Sequence, residues 1–211
     1  MEHYLDEMVR YLSSENLVLI NSSNDGRVNS IANEDQIIAL LKKKYPEGVE
    51  VPNIRSWYDF AFKKNNQTIY INVKVSDLDN GAADNLSSKI GMGYALTGIG
   101  DLPIDWEGFN EMLAANLRYG YDYYFLIVNK NNTSDVFWTS LKRIRELRAN
   151  GSNLPFQCDW SRNREPSNRS EYEATRYILS VYVDSWDKKT KGYPEKIKHM
   201  LSGDIVINNN H

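Results

Sequence analysis

Cysteine is nearly missing from this sequence. Its 211 residues contain one, Cys158, so no disulfide can close within the chain, which fits a reducing compartment. No catalytic constellation accompanies Cys158, which reads as an inert, half-buried thiol. Histidine is also scarce. His3, His199 and His211 stand far apart in sequence, which argues against a zinc centre. No apolar run approaches the ~20 residues of a membrane span. The start, MEHYLDEMVRYL, is acidic and amphipathic, without the basic and apolar regions of a secretion signal. A cytoplasmic protein with no membrane partner is the expectation. Excess positive charge is missing too: the net charge is −3 and the pI about 5.7. Phosphate binding needs Lys and Arg, but their local distribution matters more than their sum. Between Ser140 and Arg169 stand Lys142, Arg143, Arg145, Arg148, Arg162, Arg164 and Arg169. Only Glu146, Asp159 and Glu165 oppose them.

What is present is an ordinary globular composition, 41% hydrophobic and 25% charged, which excludes bulk disorder. The length suits one domain spanning residues 1–211. Within it we expect an N-terminal helix in residues 1–20 and a core over about 30–148. Residues 149–211 should hold a recognition loop and C-terminal helices. Leu5, Met8, Val9 and Leu12 predict a helix over Glu2 to Ser14. The polar run from Asn21 to Asn29 reads as a loop. Ile37, Ile38, Leu40 and Leu41 predict a second helix, from about Asn33 to Lys44, stopped by Pro46 and Gly48. Lys42, Lys43 and Lys44 form its solvated basic end.

The stretch from Val49 to Asp77 is the most informative. Val49 to Ile54 reads as a strand. Trp57 to Phe62 and Thr68 to Val75 read as two more, joined in a hairpin through KKNNQ. Along the last strand Ile69, Ile71, Val73 and Val75 share one face, and Tyr70, Asn72 and Lys74 the other. Further on, helices are expected over Asn85 to Leu96, around Trp106 to Leu117 and, basic in character, from Leu141 to Arg148. Tyr121 to Asn129 reads as a buried strand and Asp135 to Thr139 as a short one. Ser170 and Glu173 have capping-box spacing and open a long helix to about Trp186. A helix over Tyr193 to Leu201 and a strand over Asp204 to Ile207 close the series. This order predicts an α/β fold, a central mixed sheet with helices on both faces.

The hairpin can bring Asp59 beside the segment that carries Asn72 and Lys74. Phosphodiester hydrolysis uses such an arrangement. Carboxylate oxygens hold a hard divalent ion, and a nearby ammonium activates the attacking water and offsets charge on the phosphorane.

YDFAF followed by INVKVSD resembles the PD-(D/E)xK nuclease signature, in which an acid precedes a strand bearing acid-x-Lys. Tyr58-Asp59 stands for the first half and Asn72-Val73-Lys74 for the second. Glu34 matches the acid on the first core helix that many members use as a metal or water ligand. The continuation DNLSSKIGMGYALTG and YDYYFLIVNK looks like that of type II restriction endonucleases. The likeness covers roughly Asn33 to Lys130. Two departures stand out: Tyr58 replaces the proline, and Asn72 replaces the second acid, offering a neutral amide oxygen instead of a charge.

The resemblance implies a restriction endonuclease-like fold and a type II restriction endonuclease. Such an enzyme would cleave double-stranded DNA at specific sites and leave 5′-phosphates. Its cofactor would be Mg²⁺, with Mn²⁺ as a substitute, held by Asp59 with Glu34 and Asn72 assisting. Short palindromic targets imply a homodimer. For base reading the sequence offers Gln157, Arg162, Asn163 and Arg164, because Gln and Asn pair with adenine and Arg with guanine. Lys142 and Arg143 suit phosphates. Ser87, Ser88 and Lys89 suit scissile-strand phosphates at a helix N-terminus. Two alternatives are a repair or junction-resolving nuclease of the same fold and a non-catalytic DNA-binding module in which Asn72 marks lost chemistry.

Overall fold

In the computed structural model of the chain, residues 1–20, 26–53, 56–81, 83–86, 88–190 and 195–203 are described. The fold is α/β, with a mixed five-stranded sheet flanked by helices. Contacts divide the chain into two compact units. The first comprises Met1–Ala82, Tyr124–Thr139 and Trp160–Arg164, and the second Ala83–Tyr123, Ser140–Asp159 and Glu165–His211. The sequence reads as one domain, whereas contacts separate these two units.

The first unit holds α1 (Glu2–Ser14) and α2 (Gly26–Lys44) with β1 (Val49–Glu50), β2 (Phe60–Lys64), β3 (Gln67–Ser76), β5 (Tyr124–Asn129) and nearly all of β6 (Asn132–Ser140). The sheet order is β1-β2-β3-β5-β6. Strands β1, β2 and β3 pair antiparallel, and β3 pairs β5 in parallel. A two-residue turn makes the β2–β3 hairpin, with Lys64 opposite Gln67. Asn65 and Asn66 sit there at φ 51° and 61°, a geometry that matches strand twist and that Asn tolerates. The core joins Leu5, Met8 and Leu12 of α1 and Ile37, Ile38 and Leu41 of α2 to Phe60, Phe62, Ile69, Ile71 and Val73. The apolar stripes seen in the sequence are the ones buried. Helix α2 begins at Gly26, not near Asn33, so residues 26–29 of the loop expected over Asn21 to Asn29 are helical.

The second unit contains α3 (Lys89–Thr97), α4 (Trp106–Ala115), α5 (Glu171–Thr190) and α6 (Glu195–Ser202). It also holds a three-stranded antiparallel sheet of β4 (Ala83–Leu86), β8 (Phe156–Asp159) and β7 (Leu147–Arg148), in the order β4-β8-β7. Phe109, Tyr182 and Trp186 pack there as near-perpendicular rings, and the Tyr182 hydroxyl donates to Asn110 Oδ1 at 2.7 Å. Cys158, the single cysteine, is buried in β8.

Several sequence readings are corrected. Leu141 to Arg148 is no helix: a 3₁₀ turn spans Leu141–Arg143, and Leu147 and Arg148 enter β7. Its apolar residues recur every third position, which suits a 3₁₀ turn as well as a helix. The segment from Asn150 to Asn168, read as a loop, contains β8 and a further 3₁₀ turn, Trp160–Arg162. Helix α3 starts at Lys89 rather than Asn85, because Ala83–Leu86 pairs with β8. Strand β2 starts at Phe60 rather than Trp57, and β1 ends at Glu50. The expected strand at Asp204 to Ile207, most of the loop beginning at Asn21, and Ile54, Ser87 and Tyr193 lie outside the described residues.

Candidate active site

Glu34, Asp59, Asn72 and Lys74 all belong to the first unit. Asp59 sits just before β2. Its N–H donates to the Ile71 carbonyl at 3.0 Å, although Phe60 already faces Ile71. Two successive residues address one, as in a β-bulge, a device that re-aims a side chain. Beyond Phe60, β2 gives β3 no further partner. The Asp59 carboxylate takes that role, and Oδ2 accepts the Val73 N–H at 2.7 Å. Asp59 is thus fixed one residue from both Asn72 and Lys74.

Glu34 reaches the same place from α2. Ser30 Oγ donates to Glu34 Oε1 at 3.1 Å. Asn33, buried beside it, accepts the Ile20 N–H at 2.6 Å and donates to the Ile20 carbonyl at 3.1 Å. These bonds tie this part of α2 to the chain segment before it.

Burial pushes the Glu34 carboxyl up to about 7. The Lys74 ammonium and the Ser30 hydroxyl pull the other way, while Asp59 and Asp35 add to the rise. Burial also raises Asp59 above the usual carboxylate range, opposed by Lys74 and the Val73 N–H and helped by Asp35. Glu34, Asp59 and Lys74 therefore lie in one another's fields. Asp35 belongs to the same field, and the sequence reading passed over it, although its place beside Glu34 was visible. Asn72 is half-buried, and its Oδ1 is buried with no hydrogen-bond partner, a condition that costs free energy unless something donates or coordinates there.

The residues assigned to DNA contact are spread over both units. In the first, Arg162 is exposed. Arg164 grips Asp135 through both terminal nitrogens, at 2.8 and 2.5 Å, and lies over the Phe137 ring. Asn163 is fully buried, which removes its amide from base reading. In the second, Lys142 is buried, with Nζ 3.6 Å from Glu171, and cannot meet a phosphate as placed. Arg143 is half-buried. Gln157 lies in β8 and accepts from Asn150 Nδ2 at 3.1 Å. Ser88 caps α3 by accepting the Gly91 N–H at 2.8 Å. Lys89 donates to the carbonyls of Pro103, Ile104 and Asp105. Much of the basic charge in this stretch is spent inside the fold: Arg148 meets Asp159, and Arg169 donates to the Ile144 and Arg145 carbonyls.

Among the described residues, no three His, Cys, Asp or Glu side chains gather as a metal-holding group. No described helix is long and apolar enough to cross a membrane. No protein-family model matches the chain, and no curated protein proves similar to it.

Proposed function

We propose that the chain is a Mg²⁺-dependent DNA endonuclease that hydrolyses phosphodiester bonds in double-stranded DNA at specific sites, leaving 5′-phosphates, and that it acts as a homodimer. One observation carries this reading. A carboxylate fixed in place of a strand partner, Asp59, shares its field with the Lys74 ammonium and a second half-buried carboxylate, Glu34.

The donor set fits a hard cation. Mg²⁺ is commonly bound through one or two carboxylates, keeping several waters or substrate oxygens. Asp59 and Glu34 supply carboxylates, and the unpartnered Asn72 Oδ1 supplies a neutral oxygen. When bound, such an ion lowers the pKa of water and polarises a phosphoryl oxygen. The protein's own share is positioning. The Val73 N–H holds Asp59 in one orientation. Lys74 offsets negative charge gathering on phosphorus as water attacks and the bond to the 3′-oxygen breaks. Lys74 also orients and activates the attacking water.

The test is incubation of purified protein with phage DNA and Mg²⁺. Discrete fragments should form, and should vanish with EDTA and in Asp59→Ala and Lys74→Ala variants. Absence of cutting with any divalent ion would overturn the reading. Asn72 favours one rival, a non-catalytic module. An inert wild type that gains cleavage on Asn72→Asp would support that rival.

A further inference from the structure

The small sheet of the second unit has one face buried and one turned outward. Register places Leu86 opposite Phe156 and Leu147 opposite Cys158, and all four are buried. Successive residues of a strand point to opposite faces. The other face therefore carries Asn85, Gln157 and Arg148 in one row across β4, β8 and β7. Asn85 is exposed, and Gln157 and Arg148 are half-buried. The Arg148 guanidinium turns to Glu146 and Asp159, at 3.4 Å each. The two amides turn instead to Asn150, just beyond β7. Asn150 Oδ1 accepts the N–H groups of Ser152 and Asn153 at 3.0 and 3.2 Å. A backbone N–H can only donate, so this end of the Asn150 amide is its oxygen and the other end its NH₂ group. Asn150 Nδ2 donates to Asn85 Oδ1 at 2.8 Å and to Gln157 Oε1 at 3.1 Å. Both outer amides thus have their oxygens turned to Asn150. Each keeps its own NH₂ group for an outside partner.

We propose that Asn85 and Gln157 read guanine in the major groove of the double-stranded DNA substrate, with Asn150 as the positioning residue that fixes their polarity. The major groove admits a pair of β-strands, and there guanine alone presents two acceptors, N7 and O6. Adenine sets one acceptor beside its N6 amino donor, and cytosine presents the N4 amino group. An unconstrained Asn or Gln can offer a donor and an acceptor together, which suits adenine. In this row that freedom is removed, because turning either amide over would set its NH₂ against the NH₂ of Asn150. The side chain of Gln157 taken alone suits adenine, whereas its bond to Asn150 favours guanine. The proposal rests on the nuclease reading for its ligand and names the base that the target must contain.

The test uses the full chain without divalent ions, so that nothing is cut. A pool of duplexes with a short random stretch is bound, and the retained fraction is sequenced. Guanine should be enriched at fixed positions. Replacing those guanines by 7-deazaguanine, which lacks the N7 acceptor and keeps its base pairing, should weaken binding about 5- to 150-fold, the range of one good base contact. Asn150→Asp gives a sharper readout. Its carboxylate still accepts from Ser152 and Asn153 but has no NH₂, so Asn85 and Gln157 turn their own NH₂ groups to it and their oxygens outward. The retained sequences should then change from guanine to cytosine, whose N4 amino group donates. Gln157→Glu keeps an oxygen facing Asn150 and puts a second one outside, so it should shift the preference at one position in the same way. Preference is read only on molecules that bind, so misfolding cannot imitate the change. Wild-type selection without guanine enrichment, or the same guanines selected by Asn150→Asp, overturns the proposal. The nuclease reading fails separately. A guanine preference with no cleavage of the selected duplexes on adding Mg²⁺ retains the reading face and removes the enzyme, and cleavage without such a preference does the reverse.

Discussion

At the scale of single residues, Asp59 has two roles that substitution can separate. Its carboxylate accepts a backbone N–H and supplies negative charge. Asparagine keeps an acceptor but not the charge. Asp59→Asn should therefore change stability by less than about 1 kcal/mol while cleavage falls on the order of a hundredfold or more. Asp59→Ala should lose cleavage too, and also about 1–3 kcal/mol of stability, because the Val73 N–H is left without a partner. Melting curves beside cleavage rates check the pair, and equal melting temperatures for the two variants would contradict it. Asn72 gives the converse experiment. Asn72→Asp adds a charge among Glu34, Asp59 and Asp35, so the metal-free protein should melt lower. The Mg²⁺ concentration for half-maximal cleavage should fall about tenfold, equivalent to ~1.4 kcal/mol of binding. A titration with no change would mean that residue 72 stays out of reach of the ion.

At the scale of elements, what could be read in the sequence was what local physics decides. The N-terminus of α5 is an example. Ser170 and Glu173 have capping-box spacing, and Glu173 Oε2 accepts from both the N–H and the hydroxyl of Ser170 at 2.8 Å. In return the Glu173 N–H donates to Ser170 Oγ at 3.3 Å. Ser170→Ala should cost about 1 kcal/mol, seen as a fall of roughly 2–4 °C in the melting temperature. Cleavage should be untouched. The β2–β3 hairpin was similarly legible, because alternating apolar residues flank two consecutive Asn that tolerate positive φ. Leu141 to Arg148 was not, since only pairing with the distant Phe156–Asp159 makes Leu147 and Arg148 a strand. The DNA-contact residues failed for a related reason. Composition shows that a segment is basic, but not that Arg164 will be claimed by Asp135, 29 residues away in sequence, or that Asn163 will be buried. Glu34, Asp59 and Lys74, which lie in one another's fields, were nominated by the resemblance, which implies their order along the chain. Asp35 has no such motif.

At the scale of the whole molecule, the proposed site should reveal itself in how stability depends on pH and on metal. Glu34 titrates near 7 in the folded protein against an ordinary 4.5. The folded state therefore binds this proton more tightly than the unfolded state. The contribution is fully present below about 4.5 and is lost as pH rises through about 7, by at most about 3 kcal/mol. Asp122, which burial raises to about 6 despite the Ser140 hydroxyl and Lys142, acts in the same direction over a lower window. Metal-free wild type should therefore lose stability between pH 5 and pH 8, and Glu34→Gln should flatten the upper part of that fall. A structural carboxyl and a metal-binding one part company when the ion is added. If Glu34 and Asp59 share a cation, millimolar Mg²⁺ should raise the wild-type melting temperature by several degrees at pH 8. It should do little at pH 5, where the Glu34 proton must first be displaced. Asp59→Asn should abolish the response at both values. Calorimetry of these two proteins with and without Mg²⁺ decides the matter without any DNA. A wild type whose melting temperature ignores Mg²⁺ at pH 8 would leave Glu34 and Asp59 as buried acids with no cation between them.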